Sequence, residues 1–87
     1  MRIKEIIGKE VLTEDGVSVG SVEDLEVENW TVSKLVLRLN RDAAKNLGSR
    51  FSLRPKGSVS PSFVKGVGDY ITLNVSFNQI KESIKLE

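Results

Sequence analysis

The sequence predicts a mostly β domain: a small six-stranded antiparallel β-barrel with a short internal helix and a C-terminal helix. Three observations carry that expectation. Apolar residues recur at every second position in several short runs, as a half-buried strand requires. Turn signals such as Asp15-Gly16 and Gly66-Val67-Gly68-Asp69 separate those runs. No helix-length segment alternates with the strands, so the βαβ units of a parallel sheet are not indicated. With 87 residues the chain has room for one core. Residues 1–75 are expected to form the barrel, and 76–87 a helix packed on it.

Taken in order, Lys9–Thr13 reads as a short strand, and Asp15-Gly16 supplies the positive φ of a hairpin turn. Val17, Val19, Val22, Leu25 and Val27 outline a long strand whose alternation slips one step at Gly20. A bulge or bend there would re-aim the side chains, the device by which small barrels turn corners. Glu28-Asn29-Trp30-Thr31 is the next turn. In Val32–Leu39, Leu35, Leu37 and Leu39 point one way and Lys34, Val36 and Arg38 the other. Arg41–Leu47 reads as one to two helical turns stopped by Gly48.

Phe51–Lys56 alternates as a strand that ends near Pro55, with a brief extended piece around Val59 and a helical turn at Ser62–Lys65. Gly66-Val67-Gly68-Asp69 is a corner and not a phosphate loop. Such a loop must open a helix whose amides bind the anion, whereas here the chain runs into the strand Tyr70–Val75, and Ile71 stands where a third glycine is needed. Ile71, Leu73 and Val75 form that strand's core face. Ser76–Glu87 reads as the C-terminal helix, with a Ser76/Gln79 capping box and an apolar stripe of Ile80, Ile84 and Phe77.

Composition narrows function. The chain has no cysteine and no histidine, which removes disulfides, thiolate metal sites, the commonest general base and every Ser-His-Asp arrangement. We therefore expect no catalytic residues, no metal, no cofactor and no small-molecule substrate. No apolar run is long enough to span a membrane as a helix, and MRIKEIIGKE meets charge too early for a signal peptide. The expectation is a soluble, cytoplasmic protein.

The net charge of +1 conceals a segregated layout. Residues 1–29 hold three bases against eight acids, residues 30–65 hold eight bases against Asp42 alone, and the remainder sums to −1. The blocks could face each other within the fold, meet across a dimer, or address different partners.

The stretch IIGKEVLTEDGVSVGSVEDLEVE resembles the opening of PRC-barrel domains, and VSPSFVKGVGDYITL resembles their closing segment. Gly8, Lys9, Val11, Asp15, Gly16, Gly20, Val22, Asp24, Leu25 and Val27 carry the first match; Pro61, Val64, Val67, Gly68, Asp69 and Ile71 carry the second. Asn29-Trp30-Thr31 and Ser60 depart from the family pattern at loop positions. The resemblance spans residues 6–75 and implies a small barrel. It also implies docking to other macromolecules without chemistry, as in a ribosome-maturation factor, a photosynthetic reaction-centre subunit and stand-alone archaeal proteins acting as adaptors in cell division. The stand-alone archaeal type is the nearest in layout.

The expected function is accordingly a non-enzymatic protein–protein interaction module, a homodimer acting as an adaptor in a complex such as an archaeal division machinery. Trp30, in a polar turn, and Val36, outward between Lys34 and Arg38, are the expected apolar anchors. Arg50, Arg54 and Lys56 share one face of their expected strand and would steer an acidic partner. The alternative is an RNA- or ribosome-associated accessory protein that uses the same stripe on phosphates. Asp24 and Asp69 are expected to cap turns.

Overall fold

A computed structural model describes residues 2–49 and 53–87. The chain runs α1 (Ile3–Ile6), β1 (Glu10–Leu12), β2 (Ser18–Glu28), β3 (Thr31–Leu39), α2 (Arg41–Asn46), β4 (Lys56–Val59), a 3-10 turn at Pro61–Phe63, β5 (Val64–Val67), β6 (Ile71–Leu73), a 3-10 stretch at Phe77–Glu82 and β7 (Ile84–Leu86). The strands form one curled sheet, a half-barrel in the order β5-β6-β1-β2-β3-β4-β7.

The observed architecture departs from the expected one in several parts. The described residues form seven strands rather than six, and the sheet is mixed, because β1 and β6 pair in parallel through Val11 and Ile71. The chain reaches β6 by way of the β5–β6 hairpin on the far edge, which brings it alongside β1 in the same direction. The expected C-terminal helix is instead the Phe77–Glu82 3-10 stretch followed by β7, which pairs with β4. A twelve-residue helix is marginal in water, whereas Ile84–Leu86 satisfies the open ladder of β4. The Ser76/Gln79 box does not form either: the Ser76 hydroxyl turns to the Gln79 side chain at 3.2 Å, and the Phe77 N–H donates to Asp15 Oδ1 at 3.1 Å. Ile80 and Ile84 are nonetheless buried, as their spacing indicated.

The strand expected at Phe51–Lys56 begins later, at Lys56, after Pro55. Proline has no N–H to give the ladder, but its carbonyl accepts from Leu39 N at 3.0 Å, and pairing then proceeds from Lys56. Leu53 lies in a bend, 99% exposed. Phe51 and Ser52 lie outside the described residues. Helix α1 had no sequence signal; it is one turn, with Glu5 accepting from the Arg2 N–H at 3.2 Å.

β2 positions everything else. Against β1, Val11 pairs with Gly20 and Leu12 with Ser18, leaving Val19 as an extra residue. Val19 and Val22, three apart, therefore both reach the core. At Gly20 (φ +143) an added Cβ would stand 1.9 Å from the Arg38 carbonyl oxygen, so only glycine lets β2 and β3 approach there. A second bulge against β3 leaves Glu23 unpaired between Val22 and Asp24, so that Glu23 and Asp24 both face away from the core. Leu35, Leu37 and Leu39 then meet Val22, Val59, Ile71, Leu73, Ile80 and Ile84 in one buried cluster.

Helix α2 covers the far end of the half-barrel. Asn40 Oδ1 accepts from Ala43 N at 2.9 Å, and its amide donates to the Ser18 carbonyl at 2.8 Å, capping the helix and tying it to β2. The bonds Gly48 N to Lys45 O (3.1 Å) and Ser49 N to Ala44 O (2.9 Å) complete a Schellman stop at the expected glycine.

Replacing Gly20 with alanine should cost about 3 kcal/mol or more in urea unfolding, through backbone overlap at an over-packed, left-handed position. Gly66→Ala, where an added Cβ meets nothing within 4 Å, should change stability by less than about 1 kcal/mol. Equal effects at the two sites would refute the close-approach argument.

Candidate interaction surface

The β2–β3 hairpin closes on Asn29 (φ +51) and Trp30 (φ +64), a two-residue turn with both central residues left-handed. Glycine is the favoured residue for the second position, and a bulky side chain there costs about 1 kcal/mol. Trp30 is nevertheless 100% exposed and buries nothing in return. Beneath it Val27, half-exposed, pairs with Val32, and Leu25 and Val32 pack against the edge of the core. The apolar face of the hairpin thus continues outward beyond the core to its tip.

The strand register places other exposed apolar residues at the same end. Glu10 pairs with Ser21, so β2 beyond Ser21 runs past the start of β1, toward α1. Ile3 and Ile7 lie on and just after α1, and Val67 and Tyr70 flank the β5–β6 corner, which closes next to β1 where Lys9 Nζ donates to the Gly68 carbonyl. The expected corner at Gly66–Asp69 is shorter and later: Gly66 and Val67 belong to β5, paired with Thr72 and Ile71, and the chain turns over Gly68–Tyr70.

The opposite charge blocks face each other across the sheet. Glu23 bonds Arg38 and Lys56, each at 3.1 Å, and Lys34 Nζ lies 3.6 Å from Glu26. The Lys56 ammonium first, then the Arg38 guanidinium, holds the Glu23 carboxyl below its ordinary value of 4.5. This cluster overturns one expected anchor. Val36 does face away from the core, but it is only 9% exposed. It pairs with Asp24 and Ser58 between the Glu23–Arg38–Lys56 row and the Glu26–Lys34 pair. The aliphatic stems of those long side chains are placed to roof it.

The expected basic stripe is also altered. Lys56 is engaged by Glu23, Arg54 sits in a bend before β4 and not on a strand face, and Arg50 lies outside the described residues. Of the two conspicuous aspartates, Asp24 Oδ1 accepts from Leu25 N at 2.8 Å, a local backbone contact of the expected kind, while Asp69 is exposed at the corner. Among the described residues no cluster of three carboxylates could hold a metal ion, and no helix is long and apolar enough to cross a membrane.

Asp15 is a residue whose structural role exceeds its sequence signal as half of a turn dipeptide. Its Oδ1 accepts from the Thr13 hydroxyl and from Phe77 N, joining the first hairpin to the C-terminal segment. The Thr13 hydrogen bond is the main cause that lowers its pKa below the ordinary 3.8. No local pattern reveals the contact with Phe77, 62 residues away.

The family model described as PRC-barrel domain matches residues 1–77. No curated protein matches the chain.

Asp15 and Glu23 both have depressed folded-state values. Their contribution is therefore complete above the ordinary carboxylate range and is lost as pH falls through the lower folded values. Asp15→Asn and Glu23→Gln should each lower the urea midpoint at pH 7 and differ little from the parent at pH 2. A variant gap that persists unchanged at pH 2 would refute the assignment.

Proposed function

Because this chain belongs to the PRC-barrel domain family, we propose that it is a non-enzymatic protein-interaction module, a cytoplasmic adaptor that docks through the β2–β3 hairpin and associates with copies of itself. The observation that carries this reading is Trp30: a fully exposed indole at a left-handed turn position, where stability alone favours glycine. An aromatic that weakens its own turn and packs on nothing in its own fold fits the profile of an interface anchor. Val27 extends the apolar surface below it. The likeness to stand-alone archaeal family members makes a division complex the natural setting.

The RNA-associated alternative has less support in the geometry. Lys56 is committed to Glu23, and the hairpin that ends in the exposed aromatic carries Asp24, Glu26 and Glu28 against Lys34, a poor setting for phosphates.

Capture from native lysate at low and high salt, with nuclease-treated controls, tests the proposal. Protein partners should survive nuclease and be released by Trp30→Gly, while the variant keeps or gains about 1 kcal/mol of folding stability, because glycine suits the turn. Material that is lost with nuclease and with salt, yet insensitive to Trp30→Gly, would favour the RNA reading and sink this one.

A further inference from the structure

The two ends of the molecule are chemically complementary. From Asp24 to Lys34 the hairpin carries three carboxylates, Asp24, Glu26 and Glu28, against the Lys34 ammonium, which already pairs with Glu26. This acidic strip leads to the bare indole of Trp30. The opposite end is cationic. Arg41 and Lys45 are exposed on α2, Arg54 is exposed beside Leu53, and no described carboxylate forms an ion pair with any of the three. Arg41 and Lys45 flank a groove of about 740 Å³ with apolar walls from Leu39, Ala44, Leu53 and Pro55. Asp42 borders a neighbouring hollow lined also by Val17 and Phe77, and Lys45 borders both. Strand β3 connects the two ends: it starts at the tip and finishes one residue before α2, a run of roughly 30 Å for nine residues.

We propose that the acidic, Trp30-tipped hairpin of one copy docks into the basic α2 groove of the next. The inference rests on Trp30 being an interface anchor. It specifies the occupant, a second copy, and the arrangement, head to tail. Two tips cannot meet comfortably, since each brings the same carboxylates toward the other. Knob and groove sit at different ends of a body 34 Å long, so the contact is heterologous, and repetition gives a ring or an open filament rather than a closed two-fold dimer. Leu53 and Trp30, the two most exposed large apolar side chains among the described residues, would bury each other, with Glu28 facing Arg41 and Lys45 across the rim.

Sedimentation of the full-length chain at rising concentration and low salt should show species larger than a dimer, which dissociate as salt screens the rim charges. Trp30→Gly and the double variant Arg41→Glu/Lys45→Glu should each weaken association by at least about tenfold. The decisive sample is their mixture. Trp30→Gly retains a groove and Arg41→Glu/Lys45→Glu retains a tip, so together they should form a 1:1 pair that grows no further. Circular dichroism melting should show Arg41→Glu/Lys45→Glu close to the parent and Trp30→Gly no less stable than it, which establishes that folding is intact.

A chain monomeric at every concentration, a closed dimer indifferent to Arg41→Glu/Lys45→Glu, or a mixture that stays monomeric would each overturn the head-to-tail contact. If Trp30→Gly still releases lysate partners in any of those cases, the indole remains an anchor for another protein, and only the self-docking is refuted.

Discussion

The close approach of β2 to β3 at Gly20 is the constraint on which the rest of the structure depends. Eleven extended residues of β2 would span roughly 36 Å, and the whole body measures 34 Å along its longest axis. The strand must bend to stay within a fold this small while serving two ladders, β1 on one side and β3 on the other. Bending at a bulge brings the Arg38 carbonyl to a place that any side chain at position 20 would occupy. From that contact follow the shift that buries both Val19 and Val22, the half-barrel curvature, and the departure of the second half of β2 beyond β1 to form a projecting hairpin.

The same bulged strand explains the charge layout. Because Glu23 and Asp24 both turn outward, Glu23 meets Arg38 on the neighbouring β3 and Lys56 on β4 beyond it, and part of the segregated charge is satisfied inside the fold. Such exposed pairs contribute little individually. Their geometric effect is larger: they occupy the outer face on which Val36 is buried and engage Lys56. Unpaired charges of opposite sign, Glu28 on the hairpin and Arg41, Lys45 and Arg54 around α2, stand near the exposed Trp30 and Leu53.

Much of the strand pattern was legible because it rests on local periodicity. The slip at Gly20, the Asp15-Gly16 turn, the Leu35–Leu37–Leu39 core face and the Gly48 stop were each encoded within a few residues of where they act. The tail was not legible, since Ile80 and Ile84 have a spacing that suits an amphipathic helix and equally suits a tight turn leading into a strand. The empty edge of β4 decided between them. The alternation of Phe51, Leu53 and their polar neighbours likewise suggested pairing too early: the strand expected from Phe51 starts at Lys56, after Pro55 has released the chain into the ladder.

Trp30 shows where site reasoning from sequence succeeds and where it stops. An aromatic in a polar turn could be a lid or an anchor; full exposure at a left-handed φ separates the two only once the turn geometry is known. Val36 marks the opposite case, an outward residue whose exposure depends on side chains contributed by β2 and β4. The sequence by itself determined which residues face the core, where the chain turns, and which chemistries its missing histidine and cysteine remove, because those depend on residue type and near-neighbour spacing. Only the tertiary structure decided the parallel β1–β6 pair, the seventh strand, the roof over Val36 and the separation of acidic and basic ends, because each is a contact between segments distant in the chain, whose free energy no local pattern contains.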